Sequence, residues 1–162
     1  MIILKDTNEQ IGTIDINNTW SKYGCVEPGC IIARKHWKKG YATETMMAVM
    51  KYLFEECDVQ TIYSEFMEDN IASGRVIQKC GMIQEGILRN RCEDKVGKRQ
   101  NLLSYSIIRD EFYEKYCGKK VGEKQDSFDD TILTEIIMYF EDLEDIYSKY
   151  NSKNANTIAK KN

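Results

Sequence analysis

Trp37-Lys38-Lys39-Gly40-Tyr41-Ala42-Thr43-Glu44-Thr45 is where the hydrophobic period of the chain changes. Before it, apolar residues alternate with polar ones, as they do in strands. After it, Ala42, Met46, Val49, Met50, Leu53, Phe54 and Cys57 recur at helical spacing. They form a single apolar stripe about four turns long. Gly40 and Ala42 are small where a backbone must come close to a ligand, and Lys38 and Lys39 bring positive charge. The backbone N–H groups of Lys38, Lys39, Gly40, Tyr41, Ala42 and Thr43 then stand at the positive end of a helix dipole, a natural cradle for a pyrophosphate. An ordinary helix start behind a glycine turn is the other reading, since short glycine motifs are weak alone.

Working outward, residues 2–4 read as a short strand and 11–16 as a second, paired with the first in a hairpin. Residues 17–24 read as a polar loop. Residues 25–33 read as a third strand, in which Pro28-Gly29 predicts a bulge or a splay. Proline lacks a ladder donor and glycine loosens the backbone. Beyond the first helix, 60–67 reads as a strand and 70–80 as a second helix stopped by Gly81. Residues 82–96 and 101–108 read as two long strands joined around Gly97. The expected core, 1–116, is βββαβαββ: an α+β domain with a mixed sheet flanked by helices. Residues 117–128 read as a linker. Residues 129–150 read as an amphipathic helix with Ile132, Ile136, Phe140, Leu143 and Tyr147 on one side, and 151–162 as a flexible tail.

Composition narrows the function classes. The chain has 162 residues, 42% of them hydrophobic, and a formal net charge of −3. With 26 acidic residues against 23 basic ones, a nucleic-acid partner held by counterion release is not expected. No apolar run approaches the ~20 residues that cross a bilayer, and the opening lacks the basic flank of a signal peptide. The expectation is a cytoplasmic protein with no membrane partner. Its six cysteines form no C-x-x-C pair and His36 is the one histidine, so reduced thiols and no metal site are expected.

Further motifs stand in order around the loop. Asn70-Ile71-Ala72-Ser73 opens the second helix, Gly81-Met82 follows it, and Glu85-Gly86-Ile87-Leu88-Arg89 begins the next strand. With Glu27-Pro28-Gly29-Cys30 and the Trp37 to Thr45 segment, this set resembles the GNAT superfamily of N-acetyltransferases, in the branch that acetylates ribosomal-protein N-termini. The patterns of that branch read "E-I-G-Y", "W-G-x-G-Y-A-T-E-A", "N-x-x-S", "G-F" and "E-G-x-L-R", and the likeness covers residues 2–112. Pro28, Cys30 and Met82 depart from these patterns. The family also carries a strand and two helices ahead of the matched segment, and those helices form one wall of the acceptor groove. The expected home of the 129–150 stripe is the surface which that segment would cover, in cis or in a partner subunit, the latter giving a homodimer.

The resemblance implies acetyl-CoA as co-substrate and direct transfer of its acetyl group to a primary amine of a peptide, a protein N-terminus or a small molecule. It implies that the backbone of Ile31, Ile32 and Ala33 holds the pantetheine arm and that the loop amides from Lys38 to Thr43 hold the pyrophosphate. Asn70 and Ser73 would meet the pantetheine or the departing thiolate. Glu27 is the candidate base and Ser73 the candidate group at the leaving thiolate. Each also has a plain structural reading, Glu27 as a strand glutamate and Ser73 as a helix cap. Glu93 and Asp94 are reserve carboxylates; His36 is expected to pack beside Trp37, and Trp37 and Tyr41 to pack on helix and sheet. The rival function is a non-catalytic CoA-binding or interaction module derived from a truncated acetyltransferase.

Overall fold

Strand residues alternate between a helix-facing side and an open side, and that alternation sets the layers. The computed structural model describes residues 1–20, 23–117 and 136–138. In chain order the elements are β1 (Ile2–Leu4), β2 (Gln10–Trp20), β3 (Cys25–Ile32), α1 (Tyr41–Glu55), β4 (Thr61–Met67) and α2 (Ile71–Lys79). They are followed by β5 (Ile83–Glu93), β6 (Arg99–Ile108), α3 (Arg109–Cys117) and β7 (Ile136–Met138). Among the described residues the strands form one mixed sheet in the order β5-β6-β4-β3-β2-β1-β7, in which only β3 and β4 run parallel. The α+β class and the expected core order are therefore as read from the sequence.

The three helices share one core. Met46, Val49, Met50, Leu53 and Phe54 of α1, Ile77 of α2 and Phe112 of α3 pack with Val26, Ile62, Phe66, Tyr105 and Ile107 of the sheet. The predicted stripe of the first helix is thus its buried face. A smaller cluster, Ile2, Ile11 and Tyr41, joins the start of the sheet to the start of α1. Among the described residues no helix lies on the other face of the sheet, and none is long and apolar enough to cross a bilayer.

Four elements differ from expectation. The loop expected over 17–24 is strand up to Trp20, because Asn18, Thr19 and Trp20 pair with Glu27, Val26 and Cys25 of β3. The strand expected over 82–96 stops at Glu93, where the Asp94 carboxylate accepts the N–H groups of Val96 and Lys98 at 2.9 Å each and turns the chain. Residues 109–117, given no element in advance, form α3. Its aromatic residues are close-set, with Phe112 fully buried 5.1 Å from the Phe54 ring and 5.2 Å from that of Tyr116. Finally, Ile136–Met138 is a strand antiparallel to β1, not part of a helix, because the three-residue edge of β1 offers it a ladder. The remainder of the expected 129–150 helix, most of the 117–128 linker and the 151–162 tail lie outside the described residues.

Phe112→Ala should cost about 3–5 kcal/mol, the range for emptying a buried aromatic site. Urea unfolding measures it, and a loss below about 1 kcal/mol would remove α3 from the core.

Candidate functional site

β3 and β4 pair only at Cys25↔Thr61 and Val26↔Ile62. Beyond Val26, β3 continues with β2 and β4 continues with β6, so the two parallel strands part. Pro28 has no N–H to offer either neighbour. The expected splay is therefore present. The bulge sits not in β3 but across from it, at Asn17 of β2, where the register shifts opposite Pro28 and Glu27. The Asn17 side chain lies over Gly29, so closely that a Cβ on Gly29 would stand 2.2 Å from its Nδ2.

Glu27 occupies the fork. Its side chain is half-buried, and its Oε1 accepts the backbone N–H of Glu65 at 3.3 Å. A carboxylate thus stands in for the ladder bond that the parting strands no longer make. Past it, Ile31 is 70% exposed, Ile32 is half-buried and Ala33 is exposed. The Ala33 N–H donates to Ile11 O at 2.7 Å, and Ile32 O accepts the Trp37 indole N–H at 2.7 Å.

Because β3 and β4 are parallel, α1 and α2 both begin at the carboxyl ends of the parting strands, where open α/β sheets bind ligands. The chain reaches α1 through a 3-10 turn, Arg34–His36, and two left-handed residues, Lys38 (φ 63°) and Gly40 (φ 94°). Lys38, Lys39 and Gly40 are exposed, and a Cβ on Gly40 would meet nothing within 4 Å. No side chain caps α1. Tyr41 is buried, while Ala42 and Thr43 are half-buried in the first turn. An open space before an uncapped helix start fits an anion.

α2 is built differently. The Asn70 side chain accepts the Ser73 N–H at 3.3 Å, so Asn70 is a cap. That bond uses the backbone of Ser73 and not its hydroxyl. The other expected residues fall elsewhere. Glu93 pairs with Arg99 at 3.0 Å, and Asp94 anchors its turn, so neither reserve carboxylate belongs to the fork. Trp37 is 56% exposed and acts as a strap onto Ile32 rather than packing inside. His36 is buried, with Nε2 3.4 Å from Glu9 Oε1 and its ring 6.3 Å from that of Tyr41. Lys35 also donates to Glu9, and this bond, ahead of the His36 contact, holds the Glu9 carboxyl below its usual range. Glu9 thereby ties the loop before α1 (the anion loop, after its expected role) to the turn after β1. Nothing in the sequence pattern marked Glu9, because its partners lie far along the chain.

Cys80 Sγ approaches Thr43 O at 3.9 Å, joining the end of α2 to the first turn of α1. Burial, and then the neighbouring Asp15, pushes the Cys30 thiol up to about 11; burial, and then Cys30, pushes Cys80 up to about 12. Neither supplies a thiolate near neutral pH. Among the described residues, no group of His, Cys, Asp and Glu is placed to hold a metal ion.

The family model of the acetyltransferase (GNAT) domain matches residues 1–83, which include the fork, the anion loop and the cap of α2. The chain belongs to the GNAT acetyltransferase family. The uncharacterised N-acetyltransferase YoaA of Bacillus subtilis is 36% identical over 85 residues, covering 52% of this chain and 48% of that protein. The uncharacterised N-acetyltransferase YnaD of the same organism is 30% identical over 111 residues, covering 68% and 64%. The crystal structure of a GNAT-family acetyltransferase from Bacillus anthracis superposes with a TM-score of 0.60 at 29% identity, covering 66% of this chain and 63% of that one. The chain thus spans between about half and two thirds of the length of these GNAT relatives. GNAT acetyltransferases take acetyl-CoA as co-substrate, and the open space at Gly40 before the uncapped α1 suits its pyrophosphate.

The raised thiols give a pH-dependent prediction. At pH 8 a thiol titrating at about 11 is ionised on the order of one part in a thousand, so Cys30 and Cys80 should resist iodoacetamide in the native chain and react once it is unfolded in urea. The unfolded chain loses thiol protons near its ordinary pKa of ~8.5 while the folded chain keeps them, so stability falls as pH rises above that value. Mass-resolved labelling and urea titrations at pH 7 and 10 check both. Fast native labelling of Cys30 would contradict its raised thiol.

Proposed function

We propose that this chain is an acetyl-CoA-dependent N-acetyltransferase that moves an acetyl group directly to a primary amine of a peptide, a protein N-terminus or a small molecule. The observation that carries the reading is the Glu27 carboxylate at the vertex where β3 and β4 part, on the route from the anion loop into the sheet.

In this reading the N–H groups from Lys38 to Thr43, with the charges of Lys38 and Lys39, bind the pyrophosphate. The parted backbone of Ile31, Ile32 and Ala33 guides the pantetheine arm toward Glu27. The neutral amine attacks the thioester carbonyl carbon, a C–N bond forms, and the C–S bond breaks. Glu27, directly or through water, takes the proton lost by the amine, while the Ser73 hydroxyl donates a hydrogen bond to the departing thiolate, which finally takes up the proton that Glu27 releases through water. The protonated state of Cys30 and Cys80 favours this route over one through an acetylated cysteine. Asn70 contributes by fixing the first turn of α2, and so the position of Ser73.

Glu27→Gln is an informative substitution because the amide oxygen still accepts the Glu65 N–H while basicity is lost. It should lower kcat about 10²–10³-fold and leave the Kd for acetyl-CoA, read by calorimetry, within about twofold. An unchanged kcat removes Glu27 from the chemistry. Gly40→Val puts a β-branched residue at a left-handed position in front of α1, and should raise that Kd about tenfold or more. Acetyl-CoA binding with no CoA release against a broad panel of amines and peptides would favour the non-catalytic module.

A further inference from the structure

β5 is the outer strand beyond β6, and its ladder breaks where two arginines stand. Leu88 pairs with Leu102 and Cys92 with Gln100, so Arg89, Asn90 and Arg91 together face the single residue Asn101. An ordinary bulge sets two residues against one, so this is a wider break. Asn90 at its centre takes a left-handed backbone, with φ 52°. A non-glycine residue holds that conformation at a cost, and only where its neighbours fix it. Here the neighbours do. The Asn90 N–H donates to Asn101 Oδ1 at 2.9 Å, and Arg99 Nη1 donates to Asn90 O at 3.4 Å. Asn101 is fixed in turn, because its amide donates to Glu68 Oε2 at 3.0 Å and its carbonyl accepts the Glu68 N–H at 3.1 Å. The break in β5 is thus tied to the carboxyl end of β4, just ahead of the Asn70 cap.

This anchored break carries Arg89 and Arg91, both exposed, which with Ile87, Leu88 and Asn90 line a cavity of about 510 Å³. Neither guanidinium has an ion-pair or hydrogen-bond partner among the described residues. The acids of the same hairpin are already engaged. Glu85 accepts the Ser106 hydroxyl at 2.6 Å, Glu93 pairs with Arg99 at 3.0 Å, and Asp94 holds its turn. Across residues 83–101 five basic residues stand against three acidic ones, in a chain whose net charge is −3. Guanidinium groups are planar forks that grip carboxylates through paired hydrogen bonds, and two of them free on one cavity suit a ligand with more than one carboxylate.

The sheet order β3-β4-β6-β5 sets the distance from this cavity to the fork. Strands lie ~4.8 Å apart, so the cavity stands roughly 15 Å from β3, which an extended peptide crosses in about four residues. We propose, resting on the transferase reading above, that Arg89 and Arg91 bind the carboxylates of an acidic peptide acceptor whose terminal amine lies at Glu27. The chain then selects peptide or protein N-termini that carry acidic side chains about four residues from the amine. The pinned backbone of Asn90 holds the two arginines in place before the acceptor arrives, which lowers the ordering cost of binding.

The test is calorimetry on the full chain saturated with CoA, using the amidated peptide Ser-Gly-Ser-Asp-Asp-Gly-Ser and its neutral counterpart Ser-Gly-Ser-Asn-Asn-Gly-Ser. The acidic peptide should bind about tenfold tighter or more. Arg89→Gln with Arg91→Gln should bring the two affinities together and leave the Kd for acetyl-CoA within about twofold, since both side chains are exposed and outside the core. Equal affinity of the unaltered chain for the two peptides overturns the proposal, as does a preference that survives the double substitution. A rise of about tenfold in the acetyl-CoA Kd of the double variant would assign the arginines to the cofactor's phosphates instead, and overturn it as well. CoA release against the same peptides is read in parallel. A preference that the double substitution removes, with no CoA released by any peptide or amine, would uphold the anion site and overturn the transferase reading alone.

Discussion

The ladder between β3 and β4 ends after two residue pairs, and the site is arranged around that ending. Parting two parallel strands in the middle of a sheet leaves backbone donors and acceptors without partners, which costs free energy wherever water cannot reach them. The sequence deals with the fork locally. Pro28 removes one donor, Glu27 reaches across to the Glu65 N–H, and the extra residue of the bulge at Asn17 lets β2 follow β3 as it turns away. Gly29 leaves room for the Asn17 side chain that this bend brings over it. What remains is unladdered polar backbone where the two strands part, toward their carboxyl ends.

The two helices that start beside the cleft show how the same position can be spent differently. α2 satisfies its own first turn through the Asn70 cap, whereas α1 begins at a left-handed glycine with no capping side chain. An uncapped start is a stability cost unless something external supplies an anion. The loop before it is held by remote contacts: Trp37 to the end of β3, and His36 and Lys35 to Glu9. That pinning lets Lys38 sustain a left-handed backbone, which a non-glycine residue adopts at some energetic cost.

Much of this was legible in the chain. The stripe from Ala42 to Phe54, the stop at Gly81 and the break at Pro28-Gly29 each follow from local stereochemistry, which a sequence displays directly, whereas the cap of α2 falls on Asn70 and not on Ser73, the residue expected to cap it. The extension of β2 to Trp20 was not legible, because Asn18 and Thr19 are strand only by pairing with β3. α3 was hidden by its brevity: Phe112, Tyr113 and Tyr116 are too few to show a period, and only their fit against Phe54 gives them meaning. In the candidate site, Glu27 could be named in advance, but not its bond to Glu65, which depends on how far the strands separate. Ile136-Ile137-Met138 suits a helix stripe or an edge strand equally well, and the ladder offered by β1 decides between them.

The separation between local and long-range construction has a functional side. The fork, the loop before α1 and the α2 cap all come from residues 25–73, one contiguous βαβ unit with a short second helix. Such a unit forms with little loop-closure entropy, and Glu9, Ile11 and Asn17 from the first two strands and their turn then pin its loop and bend its neighbour. The edge beside β1 depends instead on a strand that arrives after α3 and must close a long loop to reach it. A short edge strand left unpaired would also offer its backbone to other chains. The β1 edge thus depends on pairing between residues far apart in the chain, while most of the fork and of the loop before α1 comes from residues close together.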